Sequence, residues 1–311
     1  MGDVERLAAL IRARQPCVAL TGAGISTESG IPDFRSPTGI WAEFDPMEYA
    51  TLGAFHRDPA KVWRFYGPRF AVLASAEPNR AHYALAELER RGLLRATVTQ
   101  NIDVLHERAG SRDVVEVHGS IRTSSCPACR GSYALSDVLP LVEAGDGTPR
   151  CSSCQVVLKP DVVFFDELLP EGAIERALEL ASVARLLLVV GSSLEVYPVA
   201  GLPDATRHAG GEVAIVNVGP TSFDARAALK LDRRAGEVLE GVLAKSRGGT
   251  PLRGETPDGP LGDDLVAAGA DATDDLVRDA SALADDVLLH EPMAVEAMSG
   301  AHDSHEIPVQ S

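Results

Sequence analysis

The chain has 311 residues, of which 45% are hydrophobic and 24% are charged, as in ordinary globular proteins. Its net charge of −16 is uneven, because residues 247–311 contribute −11 from fourteen acidic and three basic side chains. That balance excludes a strongly basic nucleic-acid-binding protein, and no apolar run approaches the ~18 residues of a membrane span. The first residues also lack the basic and apolar segments of a secretory signal. We therefore expect a cytoplasmic protein without nucleic-acid or membrane partners, whose oligomeric state the sequence leaves open.

Helical patterns and short apolar runs alternate along the chain. The predicted helices comprise residues 3–14, 80–91 and 171–184. The predicted strands comprise residues 16–20, 96–99, 114–117, 185–190 and 213–218. Each apolar run is brief and bounded by turn residues, which is typical of parallel strands that are buried on both faces. The alternation predicts a doubly wound α/β domain.

Three segments differ from this pattern. Residues 30–78 contain aromatic residues and proline without a clear strand, and we expect a loop followed by short helices. Residues 120–160 hold paired cysteines and predict a small separate module. Residues 247–311 predict a disordered acidic tail, in which residues 271–290 have the rough pattern of an amphipathic helix. The expected folded domain thus comprises residues 1–246.

Four of the five cysteines form two Cys-x-x-Cys pairs, and the fifth, Cys17, lies alone in an apolar stretch. Cys126 and Cys129 form the first pair, and Cys151 and Cys154 form the second. Two such pairs can supply four thiolates to one tetrahedral Zn²⁺ ion, and four protein ligands leave no open position for catalysis. The alternative is two redox pairs, although no thioredoxin-like sequence surrounds either. We expect one structural zinc ion in a reducing compartment.

A glycine-rich loop follows the first predicted strand, at Gly22-Ala23-Gly24-Ile25-Ser26. Glycine lets backbone N–H groups approach a pyrophosphate, and the start of a following helix favours its negative charge. The full G-x-G-x-x-G pattern is absent because position 27 is Thr, so a purely structural turn is an equal alternative. Arg35 can reach a phosphate from the next loop, although an arginine in a loop is often only solvated.

Polar residues accompany the ends of four predicted strands. They are Gln100, Asn101 and Asp103, then His118, then Ser192 and Ser193, and finally Asn217. Ligands of open α/β sheets bind beyond the carboxyl ends of the strands. Each residue alone has a structural alternative, such as helix capping by Asn or Asp. Together they indicate one binding edge, where a neutral histidine can act as general base.

The ordered set of these motifs resembles the sirtuin family of NAD-dependent protein deacylases, from about residue 5 to residue 245. The motifs that carry the resemblance are Gly22-Ala23-Gly24-Ile25-Ser26, Gly30-Ile31-Pro32-Asp33-Phe34-Arg35, Gln100-Asn101-Ile102-Asp103, His118-Gly119 and the two cysteine pairs. The resemblance implies a Rossmann-like doubly wound parallel sheet with a small zinc-ribbon and helical second domain. It also implies that NAD and an acylated protein lysine meet between them.

By position, the resemblance implies roles for individual residues. The expected NAD-binding residues are Gly22, Ala23, Gly24, Arg35, Gln100, Asn101, Asp103, Gly191, Ser192, Ser193, Asn217 and Ala235. The expected catalytic residues are Asn101 and His118, the latter as general base for a ribose hydroxyl. The expected substrate-contacting residues are Tyr66, Arg69, Val162 and Phe165, the last two in a strand that pairs with the substrate peptide. The implied reaction releases nicotinamide, free lysine and an O-acyl-ADP-ribose, so NAD is consumed and no hydride moves.

Two alternatives to the deacylase stay open at this stage. One is a protein mono-ADP-ribosyltransferase on the same scaffold, and the other is a non-enzymatic NAD-binding zinc module. The intact His118 and the complete substrate strand favour the deacylase over the transferase. The non-enzymatic module leaves His118 and Arg69 without roles.

Tyr66 and Arg69 resemble the Tyr-x-x-Arg pair of sirtuins that remove succinyl and malonyl groups. A guanidinium can bind a distal carboxylate through two hydrogen bonds, and a phenol can add another. The alternative is two surface residues of a helix that Pro68 makes irregular. Ala54, in the expected preceding loop, would leave room for a larger acyl chain.

Two residues depart from the sirtuin pattern. Asp166 stands where the family usually has the glycine of Phe-Gly-Glu, and Ser192 stands where it usually has the threonine of Gly-Thr-Ser. The serine keeps the hydroxyl. A side chain at position 166 is expected to alter affinity for the substrate peptide or to exclude some substrates.

Overall fold

The structure is a computed structural model that describes residues 1–144 and 147–246. The predicted tail at 247–311, with its helical pattern at 271–290, lies outside the described residues. The helices are α1 (Asp3–Ala13), α2 (Pro46–Tyr49), α3 (Leu52–Arg57), α4 (Pro59–Ser75), α5 (Arg80–Arg90), α6 (Leu105–Arg108), α7 (Leu135–Ala144), α8 (Glu171–Val183), α9 (Leu202–His208) and α10 (Ala235–Lys245). The strands are β1 (Cys17–Thr21), β2 (Ala96–Thr99), β3 (Val114–Glu116), β4 (Gly119–Ser125), β5 (Ser132–Ala134), β6 (Lys159–Val162), β7 (Leu186–Val190), β8 (Glu212–Val216) and β9 (Leu229–Leu231). None of the described helices is long and apolar enough to cross a membrane.

A six-stranded parallel sheet forms because its central strands are short and apolar on both sides. Its strand order is β3-β2-β1-β7-β8-β9. In β1, Cys17 and Ala19 belong to a core with α1, α5 and α10, whereas Val18 and Leu20 belong to a core with α8 and α9. Every residue of β1 and β7 is buried, as expected for a sheet that is covered on both faces. The predicted Rossmann-like doubly wound sheet is confirmed.

The register of the parallel strands brings their carboxyl ends to one edge. Thr21 pairs with Thr99 on one side and with Val190 on the other, and Val190 pairs with Val216. The strand order reverses between β1 and β7, and ligands of such sheets bind in the crevice at this reversal. The residues that follow β1, β2, β7 and β8 therefore gather at one candidate binding edge.

Helices α3 and α4 share a hydrophobic core with the cysteine-bearing segment, in addition to the two cores on the faces of the parallel sheet. That segment forms an antiparallel sheet in the order β5-β4-β6. Trp63 of α4 is fully buried and donates its indole N–H to the carbonyl oxygen of Leu158 at 2.7 Å. The expected small zinc-ribbon and helical region is therefore present, although the cysteine segment is not separate from the helices.

Two expectations for residues 30–78 are corrected by the structure. Helix α4 is not short, since it has 17 residues and continues through Pro68. A proline removes one backbone hydrogen bond, but the buried face of α4, with Val62, Trp63 and Phe70, packs in the core that it shares with the cysteine-bearing segment and offsets that loss. Ala54 lies inside α3 rather than in a loop, and it is buried.

Candidate active site

The glycine loop after β1 packs directly against the loop after β7. The amide of Gly22 donates to the carbonyl of Val190 at 3.2 Å, and the amide of Gly24 donates to that of Gly191 at 2.8 Å. A Cβ on Gly24 would lie 2.9 Å from the Gly191 backbone, and one on Gly191 would lie 2.2 Å from the amide nitrogen of Ile25. Gly191 also has a left-handed φ of +62°. These glycines therefore have a packing role in joining the two loops at the reversal of strand order.

A buried polar network links the glycine loop to the end of β2. The Asn101 amide Nδ2 donates to the carbonyl of Gly22 at 3.2 Å and to Ser26 Oγ at 3.1 Å. Ser26 Oγ in turn donates to Asp103 Oδ2 at 2.6 Å. The other Asp103 oxygen accepts from the amide of Leu105 at 3.0 Å, in the turn that precedes α6. Asn101 and Asp103 are thus fixed by internal partners.

Gln100 connects β2, β7 and His118. Its Nε2 donates to Ser192 Oγ at 2.9 Å, and its backbone carbonyl lies 3.0 Å from His118 Nδ1. A carbonyl oxygen can only accept, so Nδ1 carries the proton and Nε2 keeps its lone pair. His118 is half-buried, and burial together with the nearby charge of Arg35 lowers the pKa of its imidazole. The imidazole is consequently neutral near pH 7 and has the form of a general base.

Arg35 is exposed and forms an ion pair, with its Nε 2.9 Å from Glu195 Oε2. Its backbone amide donates to Asp33 Oδ1 at 3.1 Å, which fixes the start of the loop. Exposed ion pairs contribute little stability, about 0–1 kcal/mol, so this pair can open at low cost. Glu195 could not be predicted from the sequence, because only the folded chain brings residues 160 positions apart into contact.

The remaining predicted NAD-binding residues lie at the same edge of the sheet. Ser193 follows β7, and its carbonyl accepts from the amide of Ser222 at 3.2 Å. Asn217 follows β8, is buried, and donates from Nδ2 to the carbonyl of Val218 at 3.0 Å. Ala235 is the first residue of α10 and is buried. The structure thus gathers residues from four strand ends and one helix start.

Two further polar residues of this edge were missed by the sequence analysis. The carboxylate of Glu28 accepts from the amide of Gly236 at 2.8 Å and so caps the first turn of α10. His82 is buried, accepts at Nδ1 from the amide of Asn79 at 3.2 Å, and has Nε2 3.4 Å from Ser26 Oγ. No local pattern indicates the Glu28–Gly236 or the His82–Ser26 contact, because both join segments that are distant in sequence, whereas the His82–Asn79 bond is a local capping box of α5.

The expected substrate strand runs beside the histidine. Val162 is buried and pairs with Gly119, and the amide of Val163 donates to the carbonyl of His118 at 2.9 Å. The expectation that Phe165 belongs to this strand is wrong, because β6 ends at Val162 and the Phe165 backbone bonds elsewhere: its amide donates to Ala50 and its carbonyl accepts from Leu52. Only the Phe165 side chain, which is 37% exposed, is therefore available to a substrate.

Asp166 occupies a conformation that explains why the sirtuin pattern has glycine at this position. Its φ is +65°, in the left-handed region that is costly for residues with a Cβ. Aspartate is among the few other residues that adopt this region. Its side chain is exposed, next to Phe165 in the segment that follows β6.

Tyr66 and Arg69 lie on α4 within an aromatic region. The Tyr66 ring packs on Phe164 at 5.4 Å and on Phe70 at 5.3 Å, and burial raises the pKa of its hydroxyl. Arg69 donates from Nη1 to the carbonyl of Phe65 at 2.6 Å. Both side chains are half-buried, so they are not the solvent-exposed helix residues of the alternative interpretation.

The four paired cysteines converge in the second region. Their Sγ atoms all lie within 4.8 Å of one another, with Cys126 and Cys154 at 3.4 Å and Cys129 and Cys151 at 3.5 Å. A zinc ion with Zn–S bonds of about 2.3 Å needs sulfurs about 3.8 Å apart, so the cluster fits one tetrahedral ion. The expected structural zinc site is confirmed, because the four cysteines converge in the arrangement that one zinc ion requires.

The two cysteine pairs have matching backbone geometry. The amide four residues after the first cysteine of each pair, at Arg130 and Gln155, donates to that cysteine's carbonyl at 2.9 Å. Both residues are left-handed, with φ of 60° and 62°. The Tyr133 hydroxyl donates to Cys151 Sγ at 3.2 Å and lowers the pKa of that thiol, which favours the thiolate that binds metal.

Comparison with known proteins identifies the family of this site. The sequence profile of the Sir2 family matches residues 22–198. The chain belongs to the Sir2 family. An NAD-dependent protein deacetylase of Caldivirga maquilingensis is 45% identical over 244 residues, which cover 78% of this chain and 94% of the relative. NAD-dependent protein deacylase 2 of Pyrobaculum aerophilum is 48% identical over 233 residues, which cover 75% and 92%.

A solved Sir2 structure has the same fold. It is a variant described with a deacetylated p53 peptide and 3′-O-acetyl ADP ribose; its TM-score is 0.76 and its identity 40%, over 78% of this chain and 98% of that chain. These comparisons confirm two expectations from the sequence, namely that this Sir2 protein is an enzyme and that NAD is the family's co-substrate.

Proposed function

We propose that this Sir2 protein removes acyl groups from protein lysines and transfers them to the ADP-ribose of NAD. The observation that carries the proposal is the 3.0 Å contact between His118 Nδ1 and the Gln100 carbonyl, from which we infer that the proton is on Nδ1. Nε2 is thereby left with its lone pair, and burial lowers the pKa of the ring so that it is neutral near pH 7. A fixed, neutral imidazole suits proton removal from a ribose hydroxyl.

In this proposal, NAD lies along the carboxyl edge of the parallel sheet. The pyrophosphate is held by Gly22, Ala23, Gly24 and Arg35. The nicotinamide ribose and carboxamide are held by Gln100, Asn101 and Asp103. The adenosine end is held by Gly191, Ser192, Ser193, Asn217 and Ala235. Because Asn101 and Asp103 are already fixed by internal hydrogen bonds, they need no reorganisation when the dinucleotide binds.

The acyl-lysine approaches along β6, next to the histidine. Its amide oxygen attacks C1′ of the nicotinamide ribose, and nicotinamide leaves. His118 Nε2 then accepts the proton of a ribose hydroxyl, whose oxygen attacks the acyl carbon, and water completes release of lysine and O-acyl-ADP-ribose. The hydrogen bond from the Val163 amide to the His118 carbonyl supports this arrangement, because it fixes the spacing of strand and base.

The test uses NAD labelled in its ADP-ribose part together with an acetyl-lysine peptide. We expect equal amounts of nicotinamide, deacetylated peptide and labelled O-acetyl-ADP-ribose. His118→Ala should lower turnover about 10²- to 10⁴-fold, the usual contribution of a general base, while one zinc ion per chain is retained. His208→Ala, at an exposed histidine of α9, is the matched control. Label accumulating on protein would instead support the ADP-ribosyltransferase.

The second part of the proposal is that the pocket accepts acidic acyl groups such as succinyl and malonyl. Among the described residues, the Tyr66 hydroxyl has no hydrogen bond and Arg69 has no ion pair, although both side chains are half-buried. A partly desolvated guanidinium favours an anionic partner, and a carboxylate can accept two of its N–H groups. Because its pKa is raised, the Tyr66 hydroxyl stays protonated and can donate as well.

This part is tested with acetyl-, succinyl- and malonyl-lysine peptides on Arg69→Met. The ratio of kcat/KM for succinyl to that for acetyl should fall about 10- to 150-fold, as expected for the loss of charge-assisted hydrogen bonds. Arg64→Met is the matched control, because Arg64 lies on the same helix with its side chain 59% exposed. An unchanged ratio in Arg69→Met would remove the acidic-acyl proposal and leave the deacylase intact.

A further inference from the structure

The guanidinium of Arg69 lies between two phenylalanine rings. Its central carbon is 3.8 Å from the ring centroid of Phe65 and 4.6 Å from that of Phe44. The same guanidinium donates from Nη1 to the Phe65 carbonyl at 2.6 Å. Phe65 is four residues from Arg69 on α4. Phe44 lies in the loop before α2, so the contact between its ring and Arg69 depends on how that loop folds.

Phe44 is braced by the backbone and by neighbouring rings. Its amide donates to the carbonyl of Ile40 at 3.2 Å, and the next residue, Asp45, caps α2 by accepting from the amide of Met47 at 2.8 Å. The Phe44 ring meets Phe65 edge-on at 5.2 Å. The loop therefore presents the Phe44 ring as a fixed wall.

Tyr49 completes this wall from α2. Its ring stacks on Phe65 at 4.9 Å and meets Phe44 edge-on at 5.6 Å. Three rings thus contact one another, and two of them cover the cation. An aromatic face attracts a cation through its quadrupole but accepts the N–H groups of a guanidinium only weakly, compared with a carboxylate.

The two rings and one carbonyl restrain Arg69 without neutralising it. Within the described residues, Arg69 makes one hydrogen bond and no ion pair. Burial lowers the pKa of this guanidinium, which marks a charge that lacks its full hydration. A free arginine side chain samples many rotamers, and ordering it costs up to about 2 kcal/mol. Because the ring contacts already order this side chain, binding of an anion loses less conformational entropy.

The aromatic wall also connects Arg69 to the candidate substrate strand. Phe65 stacks on Trp41 at 6.1 Å, and Trp41 contacts Phe165 at 6.4 Å and Phe34 at 5.2 Å. A continuous series of rings therefore runs from the guanidinium to the exposed side chain of Phe165, three residues after β6. An acyl chain along these rings has an apolar path that ends at a cation.

We propose that Phe44 is a specificity-determining positioning residue, which holds the Arg69 guanidinium in the orientation that receives the carboxylate of an acidic acyl-lysine. This inference rests on the proposed function, since it takes the region around α4 as the acyl pocket. Phe44 acts through Arg69 and need not touch the carboxylate. Its ring face is the required property, so a residue of similar bulk without a ring cannot replace it.

The experiment compares Phe44→Leu with Phe44→Tyr in the full-length protein. For Phe44→Leu, the succinyl-to-acetyl ratio of kcat/KM should fall about 2- to 30-fold, mainly through a higher KM for the succinyl peptide. Phe44→Tyr keeps the ring face and should retain the wild-type ratio. Thermal unfolding of both variants shows that the chain is folded.

A second readout reports the contact itself. In wild type and Phe44→Tyr, ring currents should shift the NMR signal of the Arg69 Nε–H, and Phe44→Leu should move that signal towards the value of a free arginine. An unchanged succinyl-to-acetyl ratio in Phe44→Leu, or an equal loss in both variants, would overturn the inference while wild-type succinyl turnover upholds the proposed function. No succinyl or malonyl turnover by wild type would overturn both this inference and the acidic-acyl part of the proposed function.

Discussion

The edge of the parallel sheet and the aromatic region around α4 differ in how far their polar side chains are satisfied by internal partners. At the sheet edge, Asn101, Asp103 and His118 each have an internal hydrogen-bond partner. In the aromatic region, the described residues offer no hydrogen bond to the Tyr66 hydroxyl and no ion pair to Arg69, on which the carboxylate of Glu43 acts only through its charge. We infer that the edge is preorganised for NAD, whereas the aromatic region leaves donors open for the acyl group.

The largest expected effect separates the two regions physically. Cys151→Ser removes one of four ligands, and structural zinc contributes about 10–16 kcal/mol in small zinc-binding peptides. We expect zinc to be lost, hydrogen exchange to speed up in β4 to β6 and α4, and β1 and β7 to stay protected. Metal analysis and exchange mass spectrometry check this. Cys17→Ala, which removes the cysteine of β1, should retain one zinc; a Cys151→Ser protein that also retains it would contradict the assignment.

The next effect tests whether residues at the sheet edge contribute equally to turnover of all acyl groups. Asn101→Ala removes the hydrogen bonds to Gly22 and Ser26. The cost of unpaired buried groups, about 1–3 kcal/mol, predicts a roughly 5- to 150-fold loss in kcat/KM. The loss should be equal for acetyl and succinyl peptides, unlike that of Arg69→Met. A loss of kcat/KM for only one of the two peptides would contradict the proposed division between an NAD-binding edge and a separate acyl pocket.

A smaller effect concerns the stability of the sheet edge. His106 is buried with Nε2 2.9 Å from Thr21 Oγ1, and burial lowers the pKa of its imidazole to about 3. As the pH falls below about 6.5, the unfolded chain binds a proton that the native state does not, so the free energy of unfolding decreases by up to about 1.4 kcal/mol per pH unit. His106→Gln should flatten this slope in denaturant titrations between pH 7 and pH 5. An unaltered slope would show that His106 does not stay neutral in the native state.

The smallest effect concerns the strained position beside the substrate strand. Asp166→Gly should raise the free energy of unfolding by about 0.5–1 kcal/mol, because glycine adopts a φ of +65° at no steric cost. Gly92→Ala is the reverse control. Gly92 has a φ of +69°, and a Cβ added there would meet no atom within 4 Å, so this substitution should destabilise the protein by a similar amount through backbone strain alone. Urea unfolding measures both. Equal stability of Asp166→Gly and wild type would indicate that a local contact offsets the strain.

Much of the sheet could be predicted from the sequence, because its strands are coded locally. The strand predicted at 96–99 matches β2, and the run at 185–190 contains β7. The paired cysteines likewise indicated their own convergence. Each of these features follows from periodicity or spacing within a short segment.

The contacts that shape the pockets could not be predicted, because they join distant segments. The pairs Arg35–Glu195 and Glu28–Gly236, and the ring of Phe44 over Arg69, have no local signature. The length of α4 was underestimated for a related reason. Its continuation through Pro68 depends on packing against the zinc-binding region, which propensity does not register.

The central claim is that His118 is neutral, with Nδ1 protonated and Nε2 unprotonated. Two-dimensional ¹⁵N NMR of the histidine side chains at pH 7, assigned with His118→Ala, distinguishes the two tautomers and the imidazolium. We predict the Nδ1–H tautomer for His118, with titration below the ordinary histidine pKa of about 6.5. An Nε2–H tautomer, or an imidazolium at pH 7, would contradict the account.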